Sequence, residues 1–460
     1  MTRTNHSYEI DMTTGALLPK IIRFALPLIL ANNLQILFNF ADLAVVGRYA
    51  GSQALAAVGA NTALIALLTN LFIGISTGAD ILISRHRGEL NDGAVSRASH
   101  TAITTGFIIG IFLVFLGFIV SRPVLTMMNT PDDSRELAIL YLRIYFLGMP
   151  AVMVYQFGAA ILRAVGDTRR PLMILSSAGV LNVILNMIFV IRFDMSVAGV
   201  ALATIISQAV CAVMILRCLI REESAYRIEL KKLKVDTKEL LHMLRTGLPI
   251  GLQSCLFAIS NVLCQSSINT FGSLAMAGCA ATASIENFCF MSMNAFIQTA
   301  TSFTGQNYGA RKHDRILKVY LNCLGLAMFI GLVMGQTIYH NGAFFISLFD
   351  KNPEVIPFGL LRMKLVSTFA FIVPIMDVTT ASLRAIGHPL PPMISCLVSV
   401  CGLRVVHIYT IFKMFPRLDV LFAAYPVTWG LSGAVNVLLF IHYYRKLVRS
   451  YNEESQKAFY

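Results

Sequence analysis

Residues 162–166 read Leu-Arg-Ala-Val-Gly, and residues 383–387 read Leu-Arg-Ala-Ile-Gly. The two runs lie 221 positions apart, each closes an apolar stretch, and each is followed within a few residues by proline. At the same offset Gly88 falls on Gly309, and at 222 Pro27 falls on Pro249. Several matches at nearly one offset, at equivalent places along the hydropathy pattern, mark an internal repeat, and a repeat sets the architecture. The halves are expected at residues 1–222 and 240–460, joined by a short polar stretch over 223–239.

Working outward, the apolar stretches define the class. Of 460 residues, 56% are hydrophobic and only 13% are Asp, Glu, Lys or Arg, against about 25% charged residues in a soluble domain. Runs of the length that crosses a bilayer, about 20 residues, recur along the chain. They fall near 21–46, 54–84, 99–120, 137–162, 171–191, 197–220, 246–271, 274–303, 316–340, 358–383, 391–413 and 420–443. The reading is an all-α polytopic membrane protein of twelve transmembrane helices. Disordered, nucleic-acid-binding and secreted disulfide-rich classes are excluded. The nine cysteines lie almost all within apolar runs, with no CxxC pair and no histidine at ligand spacing, so neither a metal site nor a disulfide framework is expected. The first twenty residues are polar and lack a short apolar core ending in a cleavage site, so the first apolar run reads as a span.

The net charge of +13 is read by position, because Lys and Arg concentrate in cytoplasmic loops. With the N-terminus inside, the inner loops hold the larger share, including the group from Arg217 to Arg245, then Arg311, Lys312, Arg315, Lys318 and the tail from Arg445 to Lys457. Both termini are therefore expected in the cytoplasm, in a cell membrane. Six spans per half is an even number, so the halves enter the membrane alike and are related by a pseudo-two-fold axis along its normal. The joining stretch mixes Lys231, Lys232 and Lys234 with Leu and Ile; it reads first as a solvated cytoplasmic linker and second as a contact for anionic membrane lipid. Asp236 and Glu239 have capping-box spacing ahead of the seventh span.

An ionisable group in hydrocarbon costs about 2.5–3.5 kcal/mol on insertion scales, so each one asks for a reason. Four acids lie within spans: Asp42, Asp80, Glu286 and Asp377. Asp42 is expected roughly 6 Å from the outer end of the first span, at 1.5 Å per residue, and Asn182, Asn186 and Thr204 within about 7–14 Å of that surface. One carboxylate with amide and hydroxyl oxygens can hold a sodium ion, or the carboxylate alone can take a proton. No metal is expected beyond a sodium ion at Asp42, and no cofactor. Glu286 has no basic residue within a helical turn, which suggests a cavity group that pairs with a cationic substrate or a buried, protonated acid. Asp377 stands two turns before Arg384 and is read as a cavity group or a local ion pair; Asp80 is expected to pair with Arg85 or to reach water. Arg404 and His407 share a helix face and either line the cavity or play a structural role. The Gly-x-x-x-Gly pairs Gly74/Gly78, Gly106/Gly110 and Gly331/Gly335 read as close helix contacts.

From about Leu18 to Tyr444 the chain resembles the multidrug and toxic compound extrusion (MATE) transporters. The residues that carry the resemblance are Asp42 in Phe40-Ala41-Asp42, Val46-Gly47, Ala54-Leu55-Ala56-Ala57-Val58-Gly59, the two Leu-Arg-Ala-x-Gly copies, Leu181-Asn182-Val183-Ile184-Leu185-Asn186, and Gly305-Gln306-Asn307-x-Gly309-Ala310. The resemblance implies a two-lobed exporter, driven by a proton or sodium gradient, that extrudes small organic and often cationic compounds. It also implies that Asp42, Asn182, Asn186 and Thr204 form the first-lobe cation site of one family branch, except that this branch has a second acid where this chain has Asn186. Other branches use acids of the second lobe, one of them in the seventh span, but 249–271 contains none. An antiporter is the leading reading. A lipid-linked-precursor flippase on a related frame is second, with Arg404 the deep basic residue such a protein needs. A membrane enzyme is last, since no nucleophile or metal constellation and no Walker-A loop is present.

Overall fold

The computed structural model describes residues 8–128 and 132–457. Among them all regular structure is helical, the arrangement that satisfies every backbone group inside a segment where water is absent. Among the described residues eleven helices are long and apolar enough to cross a membrane, and a pair bent by 48° counts as a twelfth when taken as one span.

The chain divides into two compact units. Unit 1 comprises Met1–Asp11 and Leu30–Gly251, and unit 2 comprises Met12–Ile29 and Leu252–Tyr460. The units depart from the sequence halves at two helices. α1 (Leu17–Val45) starts in unit 2 and ends in unit 1, and α8 (Thr237–Asn269) starts in unit 1 and ends in unit 2. Unit 1 further holds α2 (Gly51–Gly88), α3 (Asp92–Met127), the bent pair α4 (Asp132–Leu147) and α5 (Met149–Ala164), α6 (Arg169–Asn186) and α7 (Ser196–Ile220). Unit 2 holds α9 (Ser273–Gly309), α10 (His313–His340), α11 (Gly342–Ser347), α12 (Ile356–Leu365), α13 (Val373–Ala385), α14 (Leu390–Cys396), α15 (Leu403–His407) and α16 (Leu418–Lys457).

The repeated motif has the same local structure in both units. Gly166 and Gly387 have φ of +101° and +103°, the left-handed conformation that glycine adopts without a Cβ penalty. The next residue's N–H closes back on the motif's leucine carbonyl in each copy, Asp167 to Leu162 at 2.8 Å and His388 to Leu383 at 2.9 Å, the bond that ends a helix in a Schellman turn. The motif's arginine then ties the helix end to a neighbour. Arg163 Nε lies 3.4 Å from Asp80 Oδ2, so Arg163 is a partner of Asp80 that spacing along one helix did not reveal, and Arg384 donates to Gln253 Oε1 at 2.7 Å.

The glycine pairs are close helix contacts, to backbone at Gly74, Gly78, Gly110 and Gly335, and to the Phe157 ring at Gly106 and the Met293 sulfur at Gly331. A Cβ on Gly74 would stand 2.3 Å from Gly251 N, and one on Gly78 2.5 Å from Met243 O, so α2 and the first turns of α8 meet main chain to main chain. Gly110 is closed by Pro150 and Gly335 by the Ser367 carbonyl in the same way. Without a hydrophobic drive between helices in lipid, such van der Waals contact supplies much of the association.

The joining stretch is anchored on either side of an exposed basic run: residues 230–235, with Lys231, Lys232 and Lys234, are exposed, while the residues around them are held. Tyr226 and Ile228 are fully buried, Glu229 N–H donates to His100 Nε2 at 3.0 Å and Asp236 N–H to Thr101 Oγ1 at 3.1 Å. Asp236 caps α8, accepting from the N–H groups of Glu239 and Lys238 at 3.2 and 3.0 Å, and these bonds, that of Glu239 foremost, hold its carboxyl below the usual carboxylate range.

Four π-helical turns interrupt the spans, at Val46–Ala50, Met187–Arg192, Leu397–Gly402 and Ile408–Phe412. The second and fourth begin 221 residues apart, so they too belong to the repeat. Such turns re-aim side chains and cluster at functional sites.

Candidate functional site

The four polar residues singled out in the first half come together in unit 1. Asp42 is on the last α-helical turn of α1, just before a π turn, and Asn186 is the last residue of α6, immediately before another. The two π turns touch. Close approach of α1 to α6 depends on Gly179: a Cβ there would sit 1.9 Å from the Phe38 ring. Phe38 and Asp42 share one face of α1, and Gly179, Asn182 and Asn186 share one face of α6. The contact at Phe38 and Gly179 therefore sets the distance at which the polar groups meet.

They form a directed chain of hydrogen bonds. Asn186 Nδ2 donates to Asp42 Oδ1 and lies 3.3 Å from Asn182 Oδ1. Asn182 Nδ2 donates to Thr204 Oγ1 at 3.5 Å, and Thr204 donates to the Val200 carbonyl of α7 at 3.0 Å. Asn182 and Asn186 are buried, at 6% and 1% exposure, and Asn186 Oδ1 is buried without a partner among the described residues. The helix of α1 runs on through its π turn to Ala50, so Asp42 stands about 12 Å along the axis from that helix end at 1.5 Å per residue. Tyr141 and Tyr145, which the sequence reading missed, stack at 6.0 Å within electrostatic reach of Asp42. Their only sequence signal is a helical spacing of four, common to any packed helix face.

Unit 2 contains a cavity of about 560 Å³ lined by residues of that unit alone, among them Asp377, Arg404, Arg362, Tyr425 and Trp429. Asp377 makes no hydrogen bond or ion pair with the described residues, so the local pair with Arg384 is not formed at contact distance. Glu286 is not on the cavity wall. It is 2% exposed; its Oε2 accepts from Arg362 Nε at 3.1 Å and Nη2 at 2.9 Å, and its Oε1 accepts from Ser367 at 2.8 Å. This corrects the expectation that Glu286 is available to a cationic substrate. Its cation is Arg362 of α12, 76 positions along the chain, a partner that no spacing within α9 reveals. His407 also turns away: Nε2 stands 2.9 Å from the Val420 carbonyl, and His407 is not among the cavity's lining residues.

A twelve-span helical chain, doubled, with a carboxylate tied into a polar chain and a drug-sized cavity, has the frame of a membrane transporter. The sequence pattern of the MatE family matches twice, over residues 27–188 and 249–410. The chain belongs to the MatE family, a family of membrane transporters and not of enzymes. Among its relatives, the "Probable multidrug resistance protein YoeA" of Bacillus subtilis is 27% identical over 92% of this chain and 92% of the relative, and the "Probable multidrug resistance protein NorM" of Thermotoga maritima is 25% identical over 86% of each. The fold matches a solved structure described as the outward-facing conformation of a multidrug resistance MATE family transporter, with a TM-score of 0.88 and 22% identity, over 95% of this chain and 98% of that one.

Proposed function

We propose that this protein is a multidrug exporter of the cell membrane, with both termini in the cytoplasm, that moves small organic cations outward in exchange for an inward-moving ion. The observation that carries the reading is the polar chain from Asp42 through Asn186 and Asn182 to Thr204. The relatives' names support the multidrug reading, and the carboxylate of Asp377 on the cavity wall supports a cationic substrate group.

The chemistry of the chain favours a proton over sodium as the coupling ion. A sodium ion at Asp42 needs several oxygens, but Asn186 turns its Nδ2 toward the carboxylate, and the oxygens of Asn182 and Thr204 each already face a donor. A proton needs only the carboxylate. Once protonated, Asp42 becomes a donor, and the Asn186 amide can turn its unpartnered Oδ1 to accept from it. That turn removes the donor from Asn182 Oδ1 and so passes to Thr204 on α7. One proton thereby selects between two arrangements of α1, α6 and α7, which is the two-state element that coupling requires. The test is efflux of a fluorescent organic cation such as ethidium from cells expressing the protein, with proton and sodium gradients imposed separately. Efflux driven by the proton gradient alone is expected; efflux that ignores both gradients would overturn the antiporter reading.

A further inference from the structure

The two units carry opposite chemistry at equivalent places. At the repeat offset of 221, Asn182 falls on Leu403, Asn186 on His407 and Thr204 on Tyr425, and at 222 Asp42 falls on Cys264. The offset is physically sound there, because the buried positions Val197, Val200, Ala201, Ala203, Ser207 and Cys211 of α7 fall on Leu418, Leu421, Phe422, Ala424, Thr428 and Ser432 of α16, all buried. The acid of unit 1 thus has no counterpart in unit 2, and beside the counterpart of Asn182 stands a cation, Arg404.

Arg404 is 3% exposed and lines the unit 2 cavity. Its guanidinium lies 4.2 Å over the Tyr425 ring, and Nη1 donates to Asn261 Oδ1 at 3.2 Å. These contacts orient it without neutralising it. Among the described residues no carboxylate stands at ion-pair distance from it, and its Nε is buried without a hydrogen-bond partner. The other cavity arginine, Arg362, is already paired with Glu286. Burying an uncompensated cation is strongly unfavourable, and a guanidinium fork with free donors matches a planar anion. The short helical turn that holds it, α15, is bounded on both sides by π turns.

We propose that Arg404 is an anion subsite of the unit 2 cavity, which takes amphipathic aromatic compounds through a carboxylate seated on the guanidinium, with Tyr425 and Trp429 against the ring system. A compound that also carries an ammonium group satisfies Asp377 on the same wall. The inference rests on the reading of this cavity as the substrate site. About 560 Å³ suits a drug-sized molecule rather than a two-tailed lipid.

Trp429 is the chain's single tryptophan and lines the cavity, so its fluorescence in purified protein reports occupancy. The probes are an aromatic amino-carboxylic acid, its methyl ester, and a short-chain phosphatidic acid. Wild type is expected to bind the acid about tenfold more tightly than the ester, and Arg404→Gln to erase that ratio while leaving ester binding within about twofold. Arg404→Lys retains the charge and part of the ratio, and the wild-type comparison stands even if the glutamine variant fails to fold. Equal affinity of acid and ester for wild type would overturn the anion subsite and leave the cavity reading intact. Quenching by none of the three probes would overturn the cavity reading and the subsite with it. Binding of the phosphatidic acid alone would assign the subsite to a lipid headgroup and overturn the small-molecule claim.

Discussion

Replacing Glu286 by Gln removes the only carboxylate among the described residues that meets Arg362 at contact distance and keeps the side-chain shape. Both carboxylate oxygens are committed, Oε2 to two guanidinium nitrogens and Oε1 to Ser367, and both partners are at least nine-tenths buried. Breaking a buried pair from one side costs about 3–5 kcal/mol, because the other charge remains. Arg362 reaches the cavity wall, where water can partly compensate it, so the lower end, about 3 kcal/mol, applies. For a folding unit of this size that corresponds to a fall in melting temperature on the order of 10 °C, readable by thermal unfolding of detergent-purified protein. The double replacement Glu286→Met with Arg362→Met leaves no orphan charge and should return to within about 1 kcal/mol of wild type. A Glu286→Gln protein that melts like wild type yet loses gradient-driven efflux would refute the reasoning, since Glu286 would then be a working acid of the transport cycle and not a structural counter-ion.

Other consequences follow from the unit 1 chain. Asn186→Asp places a second carboxylate beside Asp42 and supplies the acid oxygens a sodium ion lacks; efflux should become sodium-stimulated, measured with a sodium gradient at equal pH on both sides. Gly179→Ala puts a methyl group against the Phe38 ring, an overpacking that costs about 1–3 kcal/mol and separates α1 from α6; gradient-driven efflux should fall at least severalfold although no polar group has changed, and Phe38→Leu in the same chain should restore part of it.

Much of this architecture is legible in the sequence because its signals are local or periodic. The twelve apolar runs, the Leu-Arg-Ala-x-Gly copies and the glycine pairs each report a helix, a helix end or a helix contact through residues within a few turns of one another. The grouping of Asp42 with Asn182, Asn186 and Thr204 was legible through the resemblance together with a depth count. The pairing of Glu286 with Arg362 was not, because it joins α9 to α12 across dozens of intervening residues and both are compatible with many partners. The end of the first helix was not legible either, because the π turn at Val46–Ala50 carries it on through Arg48, where a count of apolar residues stops. The anchoring of the joining stretch ahead of its exposed lysines was missed because it rests on two single side chains, Tyr226 and Ile228, which bury completely.

The central claim is that Asp42 couples an ion to substrate movement without itself holding the substrate. The most direct measurement compares wild type and Asp42→Asn in proteoliposomes, following substrate movement under an imposed proton gradient alongside ligand quenching of Trp429. The account predicts unchanged quenching with gradient-driven movement lost. Asp42→Asn vesicles that still move substrate at the wild-type rate under the same gradient would contradict it.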